Sequence, residues 1–201
     1  MNHEGRKDHK SVDNTLVNAA IEGYQDQLLS IRQEVPGLVA NLSEEQFGRS
    51  PGPKRWSMAQ CFDHLNATAR AFVPAIDTGI EDARARGLTG SGPFGYSLFE
   101  RLFLRMTEPP PGLRFPAPRV LLPAPGKPMA AILSEFMDWQ DRLDERLRQA
   151  DGLDLQRARA RSPALPLFAW SLGSLFAITL SHERRHLWQA RQIRSALGSR
   201  L

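Results

Sequence analysis

Apolar side chains recur at three- and four-residue steps along four long stretches of the chain, and each stretch predicts an amphipathic helix. The first carries Val17, Ala20, Ile21, Tyr24, Leu28, Ile31, Val35 and Leu38, and Pro36 is expected to end or kink it near Val35. The second aligns Met58, Cys61, Phe62, Leu65, Ala69, Phe72, Val73 and Ile76, with Pro74 placed to bend it and Gly79 or Gly87 to end it. A third, over residues 128–149, puts Met129, Ile132, Leu133, Phe136, Gln140, Leu143 and Leu147 on one seam, with Gly152 as its stop. The fourth covers residues 170–197 and stops near Gly198. No segment alternates with period two for long, so the expected fold is all-α, a four-helix bundle.

Local signals sharpen the boundaries. Ser43-Glu44-Glu45-Gln46 has the capping-box form and predicts a short helical turn. After the breaker Pro51-Gly52-Pro53, Ser57 can cap the second long helix while Gln60 reaches back, and Trp56 is placed to staple against Cys61. Residues 87–128 are different, holding nine of the 15 prolines. Within them only Tyr96 to Met106 has helical spacing, through Leu98, Leu102 and Met106. A Pro-rich insertion between the second and third long helices is expected, and a surface excursion is favoured over a lid on a pocket. Residues 1–12 read as a flexible tail, which leaves residues 13–198 as a single domain. No repeat at a fixed period is apparent.

Composition narrows the setting more than the chemistry. The net charge is +4, and 22 of the 26 basic residues are arginines. Runs such as Arg157-Ala158-Arg159-Ala160-Arg161 could meet phosphate, but 22 acids are interspersed and no nucleic-acid motif accompanies them. Nucleic acid is therefore not an expected partner. Cys61 is the single cysteine, which forbids an intrachain disulfide and suits a reducing compartment. The first residues are polar, and the most apolar run, Leu165 to Leu180, has 16 residues broken by Pro166 and Gly173. That falls short of the ~20 residues of a membrane span. A soluble, cytoplasmic protein without a membrane partner is expected.

The fourth helix carries the strongest chemical signal. Its seam reads Leu172, Leu175, Thr179, His182, His186, Gln189, Ile193, Ala196, which places two histidines where a bundle wants apolar knobs. Four residues apart, they lie one above the other and can chelate a divalent transition metal. His182-Glu183-Arg184-Arg185-His186 also spells the zincin string, but the 15 residues after His186 contain no His, Asp or Glu to supply a third ligand. Glu183 lies about 100° around the helix and reads more simply as a surface acid paired with arginine. His3 and His9 fall in the tail, so His64, at the edge of the second helix's apolar face, is the remaining candidate third ligand. Three imidazoles leave coordination positions open, the arrangement of a reactive site; separate hydrogen-bonded core histidines are the simpler alternative. Gln189 could orient a ligand. Asp63 points to another face and reads as a surface or ion-pairing acid. Cys61 could approach the metal as a thiolate, although its place beside Trp56 favours an inert buried thiol.

Leu42-Ser43-Glu44-Glu45-Gln46, then Trp56-Ser57 and His64-Leu65, then His182-x-x-x-His186-x-x-Gln189, resembles the DinB-like superfamily with its YfiT-type members. The resemblance spans residues 13–86 and 128–198 and leaves out residues 87–128. It implies a DinB-like four-helix bundle in which His64, His182 and His186 hold a metal, commonly zinc or nickel; Gln189, Cys61 and Trp56 remain the candidates around the pocket by their positions on the helices. It also implies a homodimer. Members of known activity include thiol-cofactor transferases and a mycothiol-dependent isomerase, so a low-molecular-weight thiol is an implied cofactor. The expected function is activation of water or of a thiol by the metal, as in a hydrolase, transferase or isomerase, on an unassigned small-molecule substrate. The alternative is a non-catalytic bundle that binds a small molecule or partner and uses the metal as a clip.

Overall fold

Six α-helices and one small antiparallel sheet make up the described residues, 18–110, 116–165 and 167–198, of the computed structural model. The expected tail at residues 1–12, with His3 and His9, lies outside them, as does Val17. Four helices are long: α1 (Ala19–Val39), α3 (Met58–Ala85), α5 (Met129–Ala150) and α6 (Leu172–Gly198). Both α1 and α3 pack against α5 and against α6, and their apolar seams close on one core. Leu28 and Ile31 of α1, Phe62 and Ile76 of α3, Phe136 and Leu143 of α5, and Leu175 and Phe176 of α6 are fully buried there. Removing each of these side chains from water is worth about 1.5–3 kcal/mol. No helix among the described residues is long and apolar enough to cross a membrane.

The helix starts follow their capping residues. Asn18 accepts from the Ala20 N–H at the head of α1. Ser43 with Gln46 and Ser57 with Gln60 form reciprocal capping boxes that open α2 (Glu44–Gly48) and α3. The ends differ more from expectation. α1 runs through Pro36 to Val39, because a proline one turn from a C-terminus forfeits a single N–H bond whose carbonyl water can satisfy. α3 likewise passes Pro74 and Gly79 before Gly87, at φ +61°, follows its end. Gly79 marks a close approach: a Cβ there would lie 3.0 Å from the Cβ of Ala160, where a strand crosses the helix.

That strand belongs to a hairpin outside the all-helical expectation. β1 (Arg159–Arg161) pairs antiparallel with β2 (Ala169–Ser171), placing Ala160 opposite Trp170. Each strand has three residues, too few to register as an alternation. Because β2 claims Ala169–Ser171, α6 begins at Leu172 instead of residue 170. Within residues 87–128 lie α4 (Leu98–Thr107), opened by a Ser97–Glu100 capping box, and a 3-10 turn at Arg119–Leu121. α4 packs on α6 and the 3-10 turn packs on α3. α6 therefore has neighbours on nearly every side.

Candidate metal centre

His64 projects from the second turn of α3, and His182 and His186 project from successive turns of α6. The contact between these helices brings the three rings together. The Nε2 atoms of His64 and His182 are 3.2 Å apart, as are those of His182 and His186. All three candidate ligand atoms lie within 4.8 Å of one another. Two nitrogens bound to one tetrahedral zinc at about 2.05 Å would sit about 3.3 Å apart. The two 3.2 Å separations about His182 match that edge.

Hydrogen bonding alone does not satisfy the cluster. His64 Nδ1–H donates to the Leu121 carbonyl at 2.6 Å, which leaves Nε2 of the neutral ring as a bare lone pair. His182 Nε2 faces two nitrogens, and a single N–H there can serve only one of them. As an N–H that atom leaves one neighbour unserved, and as a bare nitrogen it sets its lone pair against that of His64. A cation shared by the three nitrogens removes that conflict, so the donor set fits a metal.

The same environment keeps the rings neutral and ready to bind. Burial lowers the pKa of His64, against the opposing pull of the Leu121 carbonyl and Asp63. Burial, with the charges of His64 and Arg185, holds His182 down to about 3. His186 lies well below its ordinary value, mainly through burial and the neighbouring His182 and His64.

The other residues singled out from the sequence take varied places. Gln189 lies near the His186 ring and favours its protonated form, yet makes no well-directed bond to Nδ1, which has no partner. Trp56 sits at the site, its ring 5.7 Å from that of His186 and 4.9 Å from that of His64. Cys61 is buried in the core, and burial pushes its thiol up to about 12; it does not line the cavity at the histidines. Asp63 is an ion-pairing acid but not a surface one: it is 1% exposed, bonded to Lys127 Nζ and the Ala124 N–H, both at 2.6 Å. Glu183 is no surface ion-pair partner either. It is buried against α5, accepting from Gln140 Nε2 at 3.0 Å, and burial pushes its carboxyl up to about 7 against the pull of Gln140 and Arg184. Its second oxygen has no partner.

The histidines open on a cavity of about 1180 Å³, larger than the roughly 300–1,000 Å³ of ordinary ligand pockets. α3 and α6 give one wall. Phe103, Met106, Thr107, Leu121 and Leu122, all within residues 87–128, give another. Sequence reading had no access to the Leu121 carbonyl, since a main-chain acceptor leaves no residue signature. It also passed over Lys54, Arg55 and Trp188, which line the cavity; the first two are neighbours of the Trp56-Ser57 helix start and were readable as such.

No curated protein and no solved structure matches the chain. The family model of the DinB superfamily matches residues 27–190, a span that contains all three histidines and the whole of residues 87–128, and the chain belongs to that superfamily.

Proposed function

We propose that this is a DinB-type four-helix bundle, with residues 87–128 inserted as a cover, that holds zinc or nickel through His64, His182 and His186 and activates a low-molecular-weight thiol. The observation that carries the reading is the convergence of three Nε2 atoms with the His64 tautomer pinned by Leu121. A bound metal supplies Lewis acidity that favours the anionic form of a nucleophile near neutral pH.

Water and thiol are separated by what the chain offers around the site. The described lining contains no Asp, Glu, Cys or Tyr, so besides the histidines only Lys54, out at the exposed edge, has a side chain able to carry a proton for water or for a poor leaving group. A thiol starts from a pKa of about 8.5 against 15.7 for water and needs no such help. Cys61, buried and hard to ionise, does not supply it, so the thiol comes from solution. Its sulfur forms the new bond to an electrophilic carbon, the leaving group departs with its electron pair, and the thiol proton passes to solvent. The chain's part is to hold three neutral imidazoles in place and to surround the reactants with apolar side chains.

Elemental analysis of untagged protein, purified without chelator beside the His182→Ala/His186→Ala variant, tests the site. About one equivalent of metal, absent from the variant, is expected. No metal after incubation with zinc and with nickel would overturn the reading and leave a non-catalytic binding bundle. For the thiol step, loaded wild type is expected to speed alkylation of a small thiol by an electrophile, and hydrolysis of the same electrophile without thiol would restore the water reading.

A further inference from the structure

The cavity's solvent edge carries charge of one sign. Lys54 and Arg55 are exposed and line it, and neither makes an ion pair among the described residues. No acid lines the cavity to balance them. A third cation, Arg185, is engaged, donating to the Met106 carbonyl at 2.8 Å. We infer that the cavity takes an amphipathic organic anion, its carboxylate held by Lys54 and Arg55 and its apolar body against Trp56 and Trp188; this rests on the reading of the cavity as the reaction chamber.

The turn that presents these cations is well tied. The Ser50 hydroxyl bonds the carbonyls of Gly52 and Arg55, at 2.7 and 2.5 Å, and the Arg55 N–H donates to the Gly52 carbonyl at 3.2 Å. Lys54 is held at φ +57°, a left-handed conformation rare for a residue with a side chain. Next in sequence, Trp56 stacks toward His186. A ligand anchored at Arg55 therefore runs along Trp56 toward the histidines.

Both halves of the ligand are needed to match the surface. A small inorganic anion would meet the cations but leave the half-buried Phe103 and Trp188 facing water. A neutral apolar ligand would fill the cavity and leave the cations without a counter-charge. A guanidinium and an ammonium on adjacent residues of one cavity edge suit a carboxylate, and exposed cations at a cavity mouth also gather anions from solution.

Calorimetric titration of phenylbutyrate against phenylbutanol, which shares its apolar body, tests the assignment. Zinc-loaded and chelator-stripped wild type would be compared with Lys54→Gln/Arg55→Gln at low ionic strength. Both residues are exposed, and a matching melting curve would show the variant folded. The acid is expected to bind about tenfold tighter than the alcohol, with or without zinc, and the variant to lose that preference while binding the alcohol as before. A preference that needs zinc and survives in the variant would place the carboxylate at the histidines and overturn this inference while upholding the metal reading. Equal binding of acid and alcohol, or of neither, would also overturn it. Persistence of the preference in protein that takes up no zinc would uphold it while the metal reading falls.

Discussion

The two walls of the cavity are held by different forces. The α3 and α6 wall belongs to the core: His64 stands on a helix whose other faces bury Phe62, Leu65 and Ile76, so its position is fixed by aliphatic and aromatic packing. The wall built from residues 87–128 packs more thinly: Leu121 is buried and Phe103 lies against Trp170 at 4.9 Å, but Leu98, Phe99 and Leu102 stay exposed, and discrete polar contacts add much of the fastening. Glu100 accepts from the Ser171 N–H at 2.8 Å and the Ser174 hydroxyl at 2.7 Å. Glu108 pairs with Arg184, Thr107 meets Ser181 at 2.7 Å, and Asp63 grips the Ala124 N–H. Packed surface gives rigidity that is hard to remove piecemeal, whereas a few buried hydrogen bonds can be removed one at a time.

That contrast can be broken from the core side first. Phe136 is 1% exposed and meets Phe62 edge-on at 5.3 Å, so Phe136→Ala is expected to cost about 3–5 kcal/mol. Denaturant unfolding followed by circular dichroism should show both walls failing together. The polar wall should fail alone when Glu100 is changed or protonated. Burial alone would raise the Glu100 pKa, but bonds from Ser171, Ser174 and Ser97 overcome it and hold it at about 2, below the ordinary 4.5. A lowered folded pKa stabilises above the ordinary value and is lost as pH falls through 4.5 toward 2, a contribution of up to about 3 kcal/mol. Protection of the α4 amides, taken relative to their intrinsic exchange rate at each pH, is expected to fall below pH 4.5 before that of the long helices, and Glu100→Gln should show that looseness at neutral pH.

A smaller effect links the walls. Asp63→Asn removes the charge that pairs with Lys127 beside the chain segment bearing Leu121. A loosened outer partner of a metal-binding imidazole costs about ten- to hundredfold in affinity, and competition against a zinc-binding dye should find that loss without a change in stoichiometry. Smallest of all, Arg86→Ala deletes an exposed i,i+4 pair with Asp82, and a shift within about 0.5 kcal/mol is expected from thermal melting.

The packed wall was the legible one. Three- and four-residue spacing revealed α1, α3, α5 and α6, the Ser43 and Ser57 capping boxes marked two starts, and the same periodicity set His64, His182 and His186 facing inward. What periodicity could not show was which neighbours enclose α6. Glu183 reads as a surface acid if one face of that helix is wet, but α4, α5 and the hairpin leave little of it so, and Glu183 meets Gln140 instead. The hairpin escaped notice because its strands take their pairing from each other and from α3 at Gly79. Contacts made by residues 87–128 lie between distant side chains and main-chain atoms, where no local pattern carries the information.

The bond from His64 to the Leu121 carbonyl has a consequence for how such a chamber can change. A peptide oxygen has no codon of its own, so no point substitution deletes it while the chain keeps its path. Side chains at residues 119–122 can be exchanged and the chamber reshaped around a new ligand, and the ring beneath would still present the same nitrogen.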